Sequence, residues 1–228
     1  MKVQVIVPTA GLGVRLNAGK PKALVFLSGK PLFLFCLQTF EQHPLVDSII
    51  LVVPQEHKEE FKANVELFNI TKVRHIVDGG KTRCESVLKG LACVDEDTEI
   101  VAVHDGARPF VTKEVIEQAI HTAQKNGAAI VGVPIKPTIK RVNPKDYLVT
   151  ETVAREGLWE VQTPQVFKRE VLFKAHQEND DPNATDDSVL VERIGMPVKM
   201  LEGGHGNLKI TTPEDLRIAE ALLKNNDD

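Results

Sequence analysis

Residues 3–11 read VQVIVPTAG, an apolar, β-branched run that passes without a break into a glycine-bearing turn, the pattern of a buried strand entering a loop. After an apolar helical stretch the pattern returns in SIILVVP, Ser48–Pro54, which makes a β-α-β unit. Further strands are expected at Val73–Val77, Glu99–His104 and Ala128–Val133, with helical stretches at about Glu56–Phe68, Arg83–Cys93 and Thr112–Lys125. Alternation of this kind implies an α/β fold built on a parallel sheet. Thr112–Lys125 illustrates the pattern: Val115, Ile116, Ala119, Ile120 and Ala123 share one helical face, Thr112 caps the start and Gly127 ends it.

Between Pro134 and Gly157 the pattern changes to IKPTIKRVNPKDYLVTETVAREG, with β-branched residues, two internal prolines and a turn-like NPKD. This predicts an excursion of antiparallel strands, a projecting β-arm at about residues 134–157. Exposed strand edges find partners, so such an arm is a dimerisation device in prospect. Helices are then expected near Lys168–Glu178 and Asp186–Ile194, a strand at Val198–Leu201, and a C-terminal helix opened by TTPEDL. There Thr212 caps and Pro213 takes the first helical position. No repeat or flexible linker interrupts residues 1–228, so a single domain is expected.

Composition excludes several classes. Three cysteines, Cys36, Cys84 and Cys93, are an odd number without C-x-x-C spacing, which opposes a disulfide framework and a thiolate zinc site and suits a reducing cytoplasm. The apolar runs are far shorter than the roughly 20 residues of a spanning helix, so no membrane is expected. A formal net charge of −4 supplies no global field for nucleic acid, and any polyanion must be met by local clusters of cations.

Three such clusters follow predicted strands. TAGLGVRLNAGKPK places Gly11 and Gly13 where backbone passes close to a ligand, then offers Arg15, Lys20 and Lys22. It is neither a Walker A loop, since Val14 and Pro21 stand at the wrong places, nor a dinucleotide fingerprint, since Leu16 replaces the third glycine. Taken alone it resembles a phosphate cradle, and a tight turn with solvated cations is the lesser reading. DGGKTRCESV leaves a strand through Gly79-Gly80 and enters a helix carrying Arg83 and Ser86, whose N-terminal amides attract anions; an ordinary turn with Thr82 as cap explains it as well. VHDGARP sits at the carboxyl end of a strand, the edge where open α/β sheets hold ligands, and would turn Asp105 and Arg108 to the cleft. His104 is read as a packing or hydrogen-bonding residue, and Asp186-Asp187 as a helix start rather than a metal pair. Near the end, GGHGNLKITTPEDL joins another glycine-rich turn to Lys209, and TVAREGLW contributes Arg155; taken singly, each reads as a solvated surface cation.

Together AGLGVR…PK, GGKTRCESV, VHDGARP, TVAREGLWEVQTPQ, TDD and GNLKITTPEDL form an ordered series from residue 10 to residue 216. The series resembles that of the 2-C-methyl-D-erythritol 4-phosphate cytidylyltransferases. The resemblance implies a Rossmann-like nucleotidyltransferase fold, with a mostly parallel twisted sheet flanked by helices. It implies transfer of CMP from CTP to methylerythritol phosphate with Mg²⁺ or another divalent cation, held mainly by the CTP phosphates with Asp105 as a possible protein ligand. It implies a homodimer formed through the arm. By the same resemblance Arg15 and Lys22 meet the triphosphate and the charge developing at its α-phosphorus. Ala10, Gly11, Gly13, Gly79, Gly80, Arg83 and Ser86 line the nucleotide pocket. Asp105, Arg108, Thr138, Arg155 and Lys209 hold the acceptor, Arg155 coming from the partner's arm. The catalytic set is then Arg15, Lys22, Arg155 and Lys209. The chain departs from the family's habit at Pro8-Thr9, at Lys81 and at Ala23, positions that bear on affinity rather than reaction type.

These residue types suit the chemistry. The acceptor phosphate is already an oxyanion, so no serine, cysteine or histidine nucleophile is needed. The obstacle is repulsion between two polyanions, where unit charges 4 Å apart interact by about 4 kcal/mol at an effective dielectric near 20. Two alternatives stay open: a cytidylyltransferase for another polyol phosphate such as ribitol 5-phosphate, against which VHDGARP and REGLW speak, and a nucleotide-binding regulatory protein without turnover.

Overall fold

The computed structural model describes residues 1–11 and 19–224. Its centre is a seven-stranded sheet. In chain order the elements are β1 (Val3–Pro8), the short pair β2 (Phe26–Leu27) and β3 (Lys30–Pro31), α1 (Phe33–Glu41), β4 (Ser48–Val53), α2 (Lys58–Leu67), β5 (Val73–Asp78), α3 (Arg83–Leu91), β6 (Ile100–Val103), α4 (Lys113–Asn126) and β7 (Ala128–Pro134). They continue with β8 (Ile139–Val142), β9 (Val149–Val153), β10 (Trp159–Lys168), α5 (Arg169–Gln177), α6 (Ser188–Arg193), β11 (Lys199–Glu202) and α7 (Pro213–Lys224).

The order across the sheet is β11-β7-β10-β6-β1-β4-β5. β1 pairs in parallel with β4 and β6, β4 with β5, and β7 with β11, while β10 runs antiparallel to both β6 and β7. The sheet is thus mostly parallel, as expected, with one antiparallel strand, β10, that lies outside the strands expected from sequence. Its pairing with β7 is interrupted between Val161 and Gln165, which accommodates Pro164, a residue with no N–H to give to a ladder.

Alternation along the central strands explains their continuous apolar character. Val3, Val5 and Val7 of β1 join Ile49, Leu51 and Val53 of β4 in one core, against α1, α2 and α4, through Phe33, Phe40, Phe61, Ile116 and Ile120. Ile6, Ile50 and Val52 point the other way and pack with Val87, Leu91, Leu172 and Leu190 from α3, α5 and α6. Both faces of the sheet are covered, the condition that makes parallel strands apolar throughout. The exception, Gln4, is buried but satisfied: its amide donates to the Ser48 hydroxyl at 2.7 Å, and its carbonyl accepts from Asp95 N–H and the Thr98 hydroxyl.

Caps fall where the sequence places them. The Thr112 hydroxyl accepts from Val115 N–H and Gly127, at φ 93°, closes α4; the Thr212 hydroxyl accepts from Asp215 N–H at the start of α7. Residues 134–157 contain the antiparallel pair β8–β9. Around its turn the Asn143 carboxamide oxygen accepts from Lys145 N–H and Asp146 Oδ1 from Leu148 N–H, while Tyr147, Leu148 and Val149 are exposed. No helix among the described residues is long and apolar enough to cross a membrane.

Candidate active site

The carboxyl ends of β1, β4, β5 and β6 all open on one cleft of about 720 Å³, the place where an α/β sheet of this order offers a crevice. Each strand delivers a different loop. Residues 9–11 follow β1, Gly79-Gly80 follow β5, and Asp105 follows β6. Lys22 opens a 3₁₀ turn whose next residues, Ala23 and Leu24, are buried and anchor it. Lys209 arrives from the far end of the chain, and the N–H of the buried Ile210 donates to the Ala107 carbonyl at 2.9 Å, which pins the C-terminal loop beside Asp105. Around the wall Lys22, Lys81, Arg83, Lys89 and Lys209 face Glu56, Glu85 and Asp105, so cations prevail among the described residues.

The loop after β5 is built for close approach. A Cβ on Gly79 would lie 2.2 Å from the Cβ of Ala10, so only glycine lets this loop meet the first turn. The Thr82 hydroxyl caps the helix by accepting from Glu85 N–H, and the Glu85 carboxylate reaches past the cap to accept from Lys81 N–H at 2.7 Å. Ser86 braces the same loop, accepting from Gly80 N–H at 3.0 Å and donating to the Thr82 carbonyl at 2.8 Å. Lys89 adds a bond to the Gly79 carbonyl.

Asp105 is the electrostatic centre. Its Oδ1 accepts from Arg83 Nε at 3.3 Å and its Oδ2 lies 2.5 Å from Lys209 Nζ. Burial alone would raise this carboxyl, but the charges of Arg83 and Lys209 more than offset that and hold it well below the usual carboxylate range. Arg83 also donates through Nη1 to Asp187 Oδ2 at 2.8 Å. The sequence marks Asp187 only as part of a helix start. Asp186 does the capping, accepting from Val189 N–H, whereas the Asp187 side chain turns inward.

The residues nominated from sequence divide into four groups. Ala10, Gly11, Lys22, Gly79, Gly80, Arg83, Ser86, Asp105 and Lys209 line one cleft. Gly13 and Arg15 lie outside the described residues. Thr138 and Arg155 flank β8 and β9, exposed and away from this chain's own cleft, and Arg155 donates to the Lys136 carbonyl. Arg108 requires a correction: it is buried rather than turned to the cleft, and its guanidinium donates to the carbonyls of Asn207 at 2.7 Å and Val161 at 3.3 Å. It therefore holds the loop that carries Lys209. His104 is a buried hydrogen-bonding residue, as read, between the Thr163 hydroxyl and the Arg108 carbonyl.

Asp105 is also the one protein side chain that the sequence offers to a divalent cation held mainly by CTP. Both its oxygens are already engaged by cations, and no group of three His, Cys, Asp or Glu side chains among the described residues is arranged to hold a metal. The chain's described side chains do not fit a protein-built metal cage.

A family model described as IspD, 2-C-methyl-D-erythritol 4-phosphate cytidylyltransferase, matches residues 3–225. The chain belongs to this family. It is 45% identical over 227 residues to the 2-C-methyl-D-erythritol 4-phosphate cytidylyltransferase of Caldanaerobacter subterraneus subsp. tengcongensis, an alignment covering 98% of this chain and 100% of the relative. It is 46% identical to the bifunctional enzyme IspD/IspF of Desulfotalea psychrophila, covering 96% of this chain but only 56% of that longer protein. Among solved structures, 2-C-methyl-D-erythritol 4-phosphate cytidylyltransferase from Thermus thermophilus superposes with a TM-score of 0.82 at 31% identity, covering 98% of this chain and 100% of that one. The IspD match spans every loop of the cleft, from the turn after β1 to Lys209.

Proposed function

We propose that this chain is a cytidylyltransferase that transfers CMP from CTP to 2-C-methyl-D-erythritol 4-phosphate and releases pyrophosphate. The observation that carries the proposal is the convergence of two glycine-bearing loops, Lys22, the Arg83–Asp105 pair and Lys209 on one cleft in a member of the IspD family. The glycine loops fit a flat base and its ribose, and the cations fit the phosphates.

An oxygen of the acceptor phosphate attacks the α-phosphorus in line, the bond from that phosphorus to the bridging oxygen of the β-phosphate breaks, and pyrophosphate leaves. Lys22 and Arg15 are assigned to the triphosphate and to the charge that grows at the α-phosphorus. Lys209 and Asp105 are assigned to the acceptor, Asp105 accepting from polyol hydroxyls and Lys209 meeting its phosphate. Work of this kind is alignment and charge stabilisation, which is how phosphoryl-transfer sites act generally. A divalent cation, Mg²⁺ foremost, would come with CTP on its phosphates as part of that substrate and would supply charge neutralisation there.

Thr138 and Arg155 complete the acceptor site from a second copy in this proposal, which makes the protein a homodimer joined through the β8–β9 hairpin. What supports this is that both are exposed and neither lines this chain's own cleft, and that Tyr147, Leu148 and Val149 are exposed at the hairpin's end. Residues 1–228 form one nucleotidyltransferase domain on the same reading, and the free cysteines suit the cytoplasm. The deciding experiment measures pyrophosphate release from CTP with methylerythritol phosphate and with ribitol 5-phosphate. Release with the first and not the second is the expected result; CTP binding without release from either would leave a regulatory nucleotide-binding protein.

A further inference from the structure

Asp187 has no task in the reaction as described, yet the fold treats it with unusual care. Its side chain is 0% exposed. A carboxylate withdrawn from water is destabilising unless each oxygen is paired, and here both are: Oδ2 accepts from Arg83 Nη1 at 2.8 Å and Oδ1 faces His176 Nε2 at 3.1 Å. The backbone is held as well, since Gln165 Oε1 on β10 accepts from the N–H groups of Asp187 and Ser188 at 3.0 and 3.2 Å. Burial alone would raise this carboxyl; the Arg83 charge and the His176 bond outweigh it, and the group stays ionised.

From Asp187 a row of alternating charge runs to the cleft. Arg83 stands between two acids, with Nη1 on Asp187 and Nε on Asp105, and Asp105 in turn meets Lys209. Asp187 at one end has no access to solvent, the Arg83 and Asp105 side chains keep 24% and 11%, and Lys209 at the other end keeps 39%. A guanidinium is a rigid planar fork, so fixing Nη1 at one end dictates where Nε points at the other. Were the Asp187 charge removed, Arg83 would be free to close on Asp105 as a bidentate pair, its preferred geometry with a lone carboxylate. That movement would draw Asp105 away from Lys209 and from an incoming polyol.

We infer that Asp187 is a positioning residue for the acceptor side of the cleft: by locking Arg83 it sets the direction of the Asp105 carboxylate and the resting place of Lys209. The inference rests on the cytidylyltransferase reading for its kinetic test but not for its structural one.

The test uses the full chain. In D187N, which keeps the size of the side chain, KM for methylerythritol phosphate is expected to rise about tenfold with kcat within about threefold, the size of effect that loss of one charge-assisted hydrogen bond produces. In the D105N background the same change is expected to add nothing further, because the two residues act through one link; a merely structural role would give additive losses. Independently of turnover, brief acetylation followed by mass spectrometry is expected to label Lys209 faster in D187N, with distant lysines such as Lys125 unchanged. An unaltered acceptor KM in folded D187N, additivity with D105N, or unaltered Lys209 labelling overturns the inference. Should D187N not fold, R83K tests the same link, since an ammonium cannot hold both carboxylates in one rigid geometry; it is expected to show the same KM and labelling changes, and their absence overturns the inference equally. A wild-type protein that releases no pyrophosphate with this acceptor would sink the functional reading instead, and Lys209 labelling alone would then decide the link.

Discussion

His104 ties the stability of this protein to a single proton. The ring is fully buried, with Nε2 at 3.0 Å from the Arg108 carbonyl and Nδ1 at 3.1 Å from the Thr163 hydroxyl, and the edge of the Phe40 ring packs 5.2 Å away, centre to centre. The Thr163 oxygen already accepts from Asp105 N–H. The satisfied arrangement is therefore a neutral ring that donates through Nε2 and accepts the threonine hydroxyl at Nδ1. A proton on Nδ1 would make the Thr163 hydroxyl turn its own hydrogen elsewhere and leave a charge in a buried site. Burial accordingly lowers the pKa from 6.5 to about 4.

The folded value lies below the unfolded one, so as pH falls the unfolded chain takes up the proton first and gains on the folded state. Stability from this source is fully present above pH 6.5 and declines toward pH 4. Linkage over that interval gives a loss of about 2 kcal/mol between pH 7 and pH 5, and about 3 kcal/mol by pH 4. Asp105 and Asp187, both held low by their partners, stay charged across the same window and do not confuse it. His43, also lowered by burial, is common to wild type and variant. The assay is urea unfolding at pH 7, 6 and 5 for wild type and H104Q. The glutamine is expected to weaken the fold at pH 7, yet to lose about 2 kcal/mol less than wild type on going to pH 5. Parallel pH dependences for the two proteins would show that His104 is not kept neutral by its surroundings, and the reasoning would fail.

Lys22→Ala is expected to lower kcat by about 10²-fold or more with the fold intact, since it removes charge stabilisation felt mainly in the transition state; steady-state pyrophosphate release and circular dichroism check both halves. Gly79→Ala places a methyl 2.2 Å from Ala10 Cβ, so the loop must shift, and KM for CTP is expected to rise several-fold while the acceptor KM stays put, read from the same assay with each substrate varied in turn. Arg155→Ala is expected to raise KM for methylerythritol phosphate and leave CTP binding by calorimetry unchanged. Light scattering at micromolar concentration should give twice the monomer mass, and a monomer would remove the shared site.

The parallel half of the fold is legible because burial on both faces forces apolar runs such as Ser48–Val53 of β4, and because Thr112, Gly127 and Thr212 punctuate helices by chemistry local to the chain. β10 is not, because Pro164 within its span reads as a strand breaker, and only an interruption in the pairing with β7 makes room for it. The cleft is legible at Gly79, Gly80 and Asp105, which follow strands directly, and at the cations of the glycine-bearing segments. Its supports are hidden for a different reason: two adjacent acids, Asp186 and Asp187, look alike in sequence, and only the path of the backbone decides that one caps a helix and the other goes to the interior. The same holds for Arg108, whose charge suggests a ligand while its depth makes it a strut for two carbonyls.

The contact between Lys209 and Asp105 at 2.5 Å also shapes which solutes can occupy the site. Any visitor that wants this ammonium must compete with a carboxylate already touching it. Chloride or inorganic phosphate reaches one or two cations at a time and gains little from the exchange, whereas a nucleoside triphosphate and a sugar phosphate together engage opposite walls and repay the displaced acid. An internal counter-ion of this kind lowers what a small anion gains on entering a cleft whose described wall sets five cations against three acids.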